Sequence, residues 1–238
     1  MFIFMYVSFL IKFMNIMHFR IHKEGKVYFI ILLIITFISI FFSLLLALFF
    51  LIVSFYIFYF FRDPIRAIPL EDVIVSPADG IITYIGTSDP PIKINNNQKF
   101  IKVSIFLNIF NVHVNRIPTL SIIQSIKYIH GKFINATLEK SSVDNERNII
   151  TLEKENKDIL IVVQIAGLIA RRIVCDVKEK QQVEQGSRFG IIKFGSRVDL
   201  YLPSNYKTLI SIGQMVVGGE TIISNPNNVQ EISDSLKI

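Results

Sequence analysis

The chain has 238 residues, of which 51% are hydrophobic and 18% are charged, and its mean hydropathy is +0.49. Charged residues make up about 25% of an ordinary soluble domain, so this composition favours a membrane-associated protein and excludes disorder as the main state. From Arg62 onward the net charge is only +3, which is too small to indicate a nucleic-acid-binding protein. The single cysteine, Cys175, excludes an intrachain disulfide framework and a cysteine-cluster metal site.

An uncharged run rich in Phe, Ile and Leu covers residues 27–61. A membrane-spanning helix needs about 20 such residues, and one straight helix of this length would be roughly 52 Å long. The run therefore predicts either one strongly tilted helix or a hairpin of two short helices that turns near Ser39 and Ser43. Basic residues flank both ends of the run, and cytoplasmic loops attract basic residues. We therefore favour the hairpin, with the rest of the chain on the cytoplasmic side of the cell membrane.

The character of the sequence changes after the apolar run. Pro64 and Pro69 prevent a helix from continuing. Arg62 and Arg66 are expected at the level of the lipid headgroups, where basic residues are attracted to anionic lipid. The chain is thus predicted to have a basic and apolar N-terminal segment, a membrane anchor and a C-terminal domain, over residues 1–26, 27–61 and 62–238.

The C-terminal domain alternates short β-branched runs with Gly, Pro, Asn and Asp, a pattern typical of strands and turns. Glycines around short apolar steps at 183–190 and 212–220 predict hairpins with lipoyl-like curvature. The predicted fold class is mainly β (α+β), with a compact, sandwich-like or barrel-like domain that has glycine at its corners. Strands are predicted at residues 73–75, 81–85, 100–107, 122–128, 149–152, 159–165, 198–202 and 220–223.

The common catalytic motifs of hydrolases, nucleotide-binding proteins and zinc proteases are missing. Gly195–Ser196 has a chemical interpretation, because a flexible glycine lets the serine hydroxyl approach the preceding carbonyl. With a base nearby, the hydroxyl could attack that carbonyl and convert the amide to an ester. Taken alone, however, a Gly-Ser pair more often forms a plain turn. Asp79 before a glycine is equally compatible with a turn, and His113 with a half-buried strand position.

Five motifs in chain order favour the chemical interpretation. They are FFRDP at 60–64, SPADG at 76–80, NVHVNR at 111–116, QIAGLIARRI at 164–173 and RFGIIKFGSRVD at 188–199. Each motif is weakly specific by itself, whereas five in register are highly specific. Together they closely resemble the short branch of the phosphatidylserine decarboxylase family, which is pyruvoyl-dependent, and the apolar segment preceded by IHKEG at 21–25 fits that branch as well.

The resemblance implies that the precursor cleaves itself between Gly195 and Ser196, with Ser196 as the nucleophile. Asp79 and His113 are the implied partners in an Asp-His-Ser triad, in which the carboxylate orients the imidazole and the imidazole takes the serine proton. The implied products are a β chain of residues 1–195 and an α chain of residues 196–238, which form a heterodimer; a higher oligomer stays open.

The resemblance also implies that Ser196 becomes a covalent pyruvoyl group, which forms a Schiff base with the substrate amine and acts as an electron sink for loss of CO₂. No metal is expected. The implied substrate is phosphatidylserine in the bilayer and the implied product is phosphatidylethanolamine. Arg171 and Arg172 are either a carboxylate-binding or phosphate-binding pair or simply solvated. The longer branch has two histidines where this chain has His113 and Asn115, so how His113 divides its work stays open.

Two other functions fit parts of the sequence. A non-catalytic, membrane-anchored, lipoyl-like β module explains the anchor and the strands, but not Asp79, His113 and Gly195–Ser196 together. A pyruvoyl-dependent decarboxylase of a soluble amino acid explains the motifs, but it needs no anchor. Self-cleavage separates an enzyme precursor from a module, which would stay near 27 kDa.

Overall fold

A computed structural model describes residues 20–94, 99–131, 144–167, 172–193 and 196–226. The chain divides into two compact units, Met1–Ile65 and Arg66–Ile238. Over its described residues, 20–65, the first unit contains two helices, α1 (Lys23–Ile40) and α2 (Leu44–Phe60). The predicted hairpin is therefore correct as a pair of helices, in place of one long helix.

The two helices are capped and packed by residues of the unit itself. His22 Nδ1 accepts a hydrogen bond from Glu24 N (3.3 Å) at the start of α1. Ser43 Oγ accepts one from Leu46 N (3.4 Å) at the start of α2, which explains why the chain turns there. A Cβ on Gly25 would lie 2.3 Å from Phe61 Cβ, so the close packing of the helix pair at this point requires glycine.

The membrane location of this pair stays a prediction. Within the described residues, neither helix combines the length and the apolar character that a membrane crossing needs. The pair does expose many large apolar side chains, and the most exposed lie at the turn: Phe41, Phe42, Leu44 and Leu45 have 75–80% of their surface exposed.

In its described residues, the second unit is built from antiparallel strands in three sheets. The largest sheet has eight strands in the order β12-β2-β3-β11-β7-β6-β5-β9 and curls into a half-barrel. A three-stranded sheet, β4-β10-β8, and the pair β1-β13 complete the unit. The strands are β1 (Ile74–Val75), β2 (Gly80–Ser88), β3 (Phe100–Leu107), β4 (Val114–Arg116), β5 (Ser121–Ile129), β6 (Arg147–Glu153), β7 (Ile159–Ala166), β8 (Arg172–Cys175), β9 (Gln182–Val183), β10 (Arg188–Lys193), β11 (Ser196–Pro203), β12 (Met215–Val216) and β13 (Ile222–Ser224).

The main core lies between the eight-stranded and the three-stranded sheet. Side chains alternate along each strand, so Val198, Leu200 and Leu202 of β11 face this core. Phe189 and Ile192 of β10 contribute to the same cluster from the three-stranded sheet. Ser196 also has an even number in β11, so its side chain points into the same core layer.

The mainly β fold is confirmed, and each of the eight predicted strands corresponds to an observed one. Five strands, β4, β8, β9, β10 and β12, are not among the eight predicted ranges. The hairpins predicted at 183–190 and 212–220 are wrong, because β9 pairs with β5, β10 with β4 and β8, and β12 with β2. The structure shows a protein partner for Arg66 that was not expected: its side chain is only 11% exposed and is paired with Asp79, so its guanidinium is turned to the protein and not to lipid headgroups.

Candidate active site

Ser196 begins β11, the strand at the centre of the eight-stranded sheet. It lies opposite Leu107, the last residue of β3, and Ala166, the last residue of β7. The residue is fully buried, and its Oγ has no hydrogen-bond partner within the described part of the chain. A buried polar atom without a partner is costly, about 1–3 kcal/mol, and so indicates a functional position.

The chain changes sheets immediately before Ser196. Strand β10 of the three-stranded sheet ends at Lys193, and β11 of the large sheet starts at Ser196. Gly195, the predicted partner in cleavage, lies outside the described residues, as does Phe194. The candidate cleavage position is thus bracketed by two strands that belong to different layers.

His113 lies beside the end of β10, just before β4. Its carbonyl oxygen accepts a hydrogen bond from Ile192 N (3.3 Å), and its side chain is fully buried. The ring Nδ1 is 3.0 Å from the carbonyl oxygen of Asn111. A carbonyl can only accept, so Nδ1 carries the proton in this contact, and Nε2 of the neutral ring is the atom that can take a proton.

Asp79 precedes β2 at the same end of the large sheet as Ser196. Strand β2 is two positions from β11 in the sheet, which corresponds to about 10 Å between strand axes. The carboxylate accepts hydrogen bonds from Arg66 Nη2 at both oxygens (2.9 and 2.7 Å) and from Gly218 N at Oδ1 (2.8 Å). Among the described residues, the Asp79 carboxylate is thus bound by Arg66 and Gly218, and Nδ1 of His113 contacts the carbonyl oxygen of Asn111. The Asp-His-Ser triad as a whole stays a prediction.

Three buried amide side chains form a chain of hydrogen bonds across the core layer. Asn148 Nδ2 donates to Gln164 Oε1 (3.0 Å), and Gln164 Nε2 donates to Asn115 Oδ1 (2.8 Å). Gln164 lies opposite Val198, so this chain is one diagonal step from Ser196 in the sheet. Asn115 Nδ2 and Asn148 Oδ1, at its two ends, have no partner within the described residues. The layer beside Ser196 therefore holds a donor and an acceptor that a ligand could use.

We predict that Gln164→Leu lowers the free energy of unfolding by about 2–4 kcal/mol, because it leaves both neighbouring amides buried and unpaired. Urea unfolding of the variant measures this directly. The matched control is Gln124→Leu, since Gln124 is on the exposed face of β5. A loss no larger than that of the control would mean that the amide chain does not stabilise the fold.

The opposite face of β11 carries charged and aromatic side chains of its own. Arg197 Nε donates to Asp199 Oδ1 (2.8 Å), and Lys102 Nζ is 3.3 Å from Asp199 Oδ2. Burial, and secondarily the charge of Asp199, raises the pKa of Tyr201 above its ordinary value, so this phenol stays neutral. Because these side chains point away from the main core, they do not share a face with Ser196.

Arg172 is the candidate substrate-binding arginine that falls within the described residues. Arg171 lies outside the described residues. Arg172 is exposed and lies on the edge strand β8, where it pairs with Lys193, the last residue of β10 before the candidate cleavage position. Within the described ranges, no group of three or more His, Cys, Asp or Glu side chains could hold a metal ion.

Sequence reasoning missed Arg66, Gln164 and Asn148 as members of this site. Gln164 does fall within one of the five motifs, which is the one signal that could have identified it. Asn148 lies in an ordinary strand sequence and gives no signal. Arg66 was assigned to the membrane surface because of its proximity to the apolar run.

Comparison with known proteins decides the family. The sequence model described as phosphatidylserine decarboxylase matches residues 54–224, which include every candidate residue of the site. The chain belongs to this family. The resemblance inferred from the five motifs is therefore confirmed.

Individual members of the family are similar over most of their length. Proteins named phosphatidylserine decarboxylase proenzyme from Rickettsia typhi and Rickettsia prowazekii are each 46% identical over 207 residues, which cover 86% of this chain and 90% of the relative. The proenzyme of the same name from Rickettsia bellii is 47% identical over the same coverage. The word proenzyme describes relatives that are made as precursors.

Proposed function

We infer that this chain is a phosphatidylserine decarboxylase that matures by cleaving itself between Gly195 and Ser196. The observation that carries this inference is the buried Oγ of Ser196 at the start of the central strand, which has no hydrogen-bond partner among the described residues. A structural serine at such a position would be expected to satisfy its hydroxyl. Membership of the decarboxylase family supplies the reaction class.

Cleavage uses atoms of the chain itself and one water molecule. Ser196 Oγ attacks the carbonyl carbon of Gly195, the Gly195–Ser196 amide bond breaks, and an ester forms in its place. Removal of the Ser196 Cα proton then breaks the Cβ–Oγ bond. This step releases residues 1–195 with a terminal carboxylate and leaves dehydroalanine at position 196. Water converts dehydroalanine to a pyruvoyl group and releases ammonia.

His113 is the residue that we assign to proton transfer in these steps. Its Nδ1 faces the carbonyl of Asn111, and this contact leaves Nε2 to accept the proton of Ser196 and to return it to the departing amine. The backbone hydrogen bond from Ile192, which lies three residues before Gly195, to the carbonyl of His113 supports this assignment. We assign Asp79 to the same site as an electrostatic partner.

The residues around Ser196 fit a pyruvoyl group. Once formed, the group supplies an electron sink for the loss of CO₂. Asn115 Nδ2 is a buried donor suited to hold a carbonyl or carboxylate oxygen in this layer. Arg172 is suited to bind the phosphate of a lipid headgroup, since a guanidinium pairs well with phosphate. His113 Nε2 is suited to deliver the proton that replaces the carboxyl group.

We further propose that the helix pair α1–α2 is embedded in the cell membrane, with the second unit on the cytoplasmic side. The apolar side chains exposed at its turn, Phe41, Phe42, Leu44 and Leu45, would be buried in lipid. Basic residues on both flanks of the pair favour the cytoplasmic side. The substrate would then reach the site from the same bilayer.

We predict that a shortened chain beginning at Arg62 still cleaves itself, because Asp79, His113 and Ser196 all remain. It should no longer float with lipid vesicles. The ratio of its rate on bilayer phosphatidylserine to its rate on a short-chain soluble analogue should be about tenfold lower than the same ratio for the full chain. Both substrates are measured on both proteins after cleavage is complete. Equal losses on the two substrates would mean that the helix pair supports folding instead of access to lipid.

The proposed function is tested by adding the cleaved protein to vesicles that contain phosphatidylserine and measuring phosphatidylethanolamine. Soluble amino acids, including L-serine, are assayed in parallel for release of CO₂. We expect the lipid product alone. Release of CO₂ from a soluble amino acid, without lipid product, would instead support a pyruvoyl-dependent decarboxylase of a different substrate.

A further inference from the structure

The segment immediately before the second unit's first strand is held against the candidate active site. Arg66 Nη2 lies 2.7 Å from one oxygen of Asp79 and 2.9 Å from the other, and the two side chains are only 11% and 14% exposed. The next residue, Ala67, donates its backbone N–H to Glu220 Oε1 (3.0 Å). Gln185 Nε2 donates to the carbonyl oxygen of Pro69 (2.8 Å).

The loop that contains Glu220 also binds Asp79. Gly218 N donates to Asp79 Oδ1 (2.8 Å), so the carboxylate is held by Arg66 from one direction and by this loop from another. These contacts therefore close a ring. It runs from Arg66 to Asp79 and on to Gly218, then along the backbone to Glu220, and through Ala67 back to Arg66. A carboxylate with donors on both sides has little freedom to turn, because rotation would break at least one of these bonds.

The hydrogen-bond geometry of the Arg66 guanidinium argues against a role in the stability of the fold alone. One nitrogen, Nη2, serves both carboxylate oxygens, whereas the strongest arginine–carboxylate pairs use two nitrogens in parallel. Nε of Arg66 is buried and has no hydrogen-bond partner among the described residues. A largely buried pair of this kind also has to offset the loss of solvation of both charges.

We propose that Arg66 is a positioning residue of the active site: it fixes the orientation of the Asp79 carboxylate for self-cleavage and for decarboxylation. This inference rests on the proposed function, in which Asp79 acts beside Ser196. Cleavage at Gly195 would put Arg66 and Asp79 on one fragment and Gly218 and Glu220 on the other. The same ring of contacts would then hold the two fragments together at the site.

The test compares Arg66→Gln, Arg66→Lys and Asp79→Asn in the full chain. We expect Arg66→Gln to slow cleavage about tenfold or more, as loss of carboxylate orientation does in catalytic triads. Arg66→Lys should restore part of the rate, because an ammonium still supplies a charged donor. The double variant Arg66→Gln/Asp79→Asn should be no slower than Asp79→Asn alone, since both changes remove one interaction.

Lys99→Gln is the matched control, because it removes an ion pair with Asp89 whose side chains are 60% and 77% exposed. On the cleaved protein, a positioning role lowers kcat for phosphatidylserine and leaves KM nearly unchanged. A higher KM with normal kcat and normal cleavage would make Arg66 a lipid-binding residue and overturn the proposal. If the fold losses in cleavage rate of the two single variants multiply in the double variant, Arg66 and Asp79 act independently. That result would overturn the proposal as well.

The wild-type chain is assayed beside each variant for cleavage and for phosphatidylethanolamine. If the wild type does neither, the proposed function itself is wrong. If the wild type does both and Arg66→Gln matches it, only the positioning role of Arg66 is wrong. A shift in the urea unfolding midpoint of Arg66→Gln, with wild-type rates in its folded fraction, also contradicts the positioning role.

Discussion

Replacing Ser196 with Ala is expected to leave a single uncleaved chain of 27.4 kDa with no decarboxylase activity. Alanine lacks the oxygen that attacks the Gly195 carbonyl, so neither the ester nor the pyruvoyl group can form. Folding should be preserved, because Oγ of Ser196 makes no hydrogen bond within the described residues. Gel electrophoresis of the expressed protein, followed by the vesicle assay, measures both outcomes.

Two further variants test whether this effect is specific to the hydroxyl of Ser196. Ser204→Ala changes an exposed serine of the turn after β11 and should cleave normally. Ser196→Cys should cleave slowly, since a thiol can form the corresponding thioester, but its activity should be poor. Cleavage of the Ser196→Ala variant after Gly195 would contradict the proposed mechanism.

His113→Ala is expected to slow self-cleavage by about 10²–10⁴-fold, the usual contribution of a general base. A serine hydroxyl at its ordinary pKa is a weak nucleophile, and His113 is the buried imidazole beside the end of β10. The fraction of cleaved chain is followed over time by gel electrophoresis after synthesis is stopped. His113→Asn, which is closer in size to histidine and still polar, separates loss of the base from loss of packing.

The control for this prediction is the second histidine of the described second unit. His130 has 90% of its side chain exposed, so His130→Ala should cleave at the wild-type rate. If His113→Asn also cleaved at the wild-type rate, distortion of the Gly195–Ser196 peptide would be sufficient for the reaction, and no general base would be needed at this site.

The strands that sequence predicts most clearly are those with long apolar runs. β3, β5, β6 and β7 each have seven to nine residues, and their β-branched content identifies them. The arrangement of these strands was not predictable, because sheet order depends on contacts between distant parts of the chain. The position of β11 at the centre of the large sheet, and of β10 in another layer, is a feature of this kind.

The same limit applies to the candidate site. Ser196 and His113 were identified by motif, since both lie in short sequences with a chemical interpretation. Arg66 was misassigned because its charge and its place after an apolar run are equally compatible with a lipid surface, and only the structure reveals its partner, Asp79. Gln164 and Asn148 become recognisable only when two strands and a second layer bring their amides together.

The mass of the C-terminal fragment tests the central claim most directly. The full-length chain is purified, and the fragment of residues 196–238 is analysed by intact-mass spectrometry. Our account predicts a 43-residue fragment that is about 17 Da lighter than the unmodified peptide, because a pyruvoyl group replaces serine with net loss of one ammonia. An uncleaved chain, a fragment that begins at another residue, or one that keeps an unmodified Ser196 would contradict it.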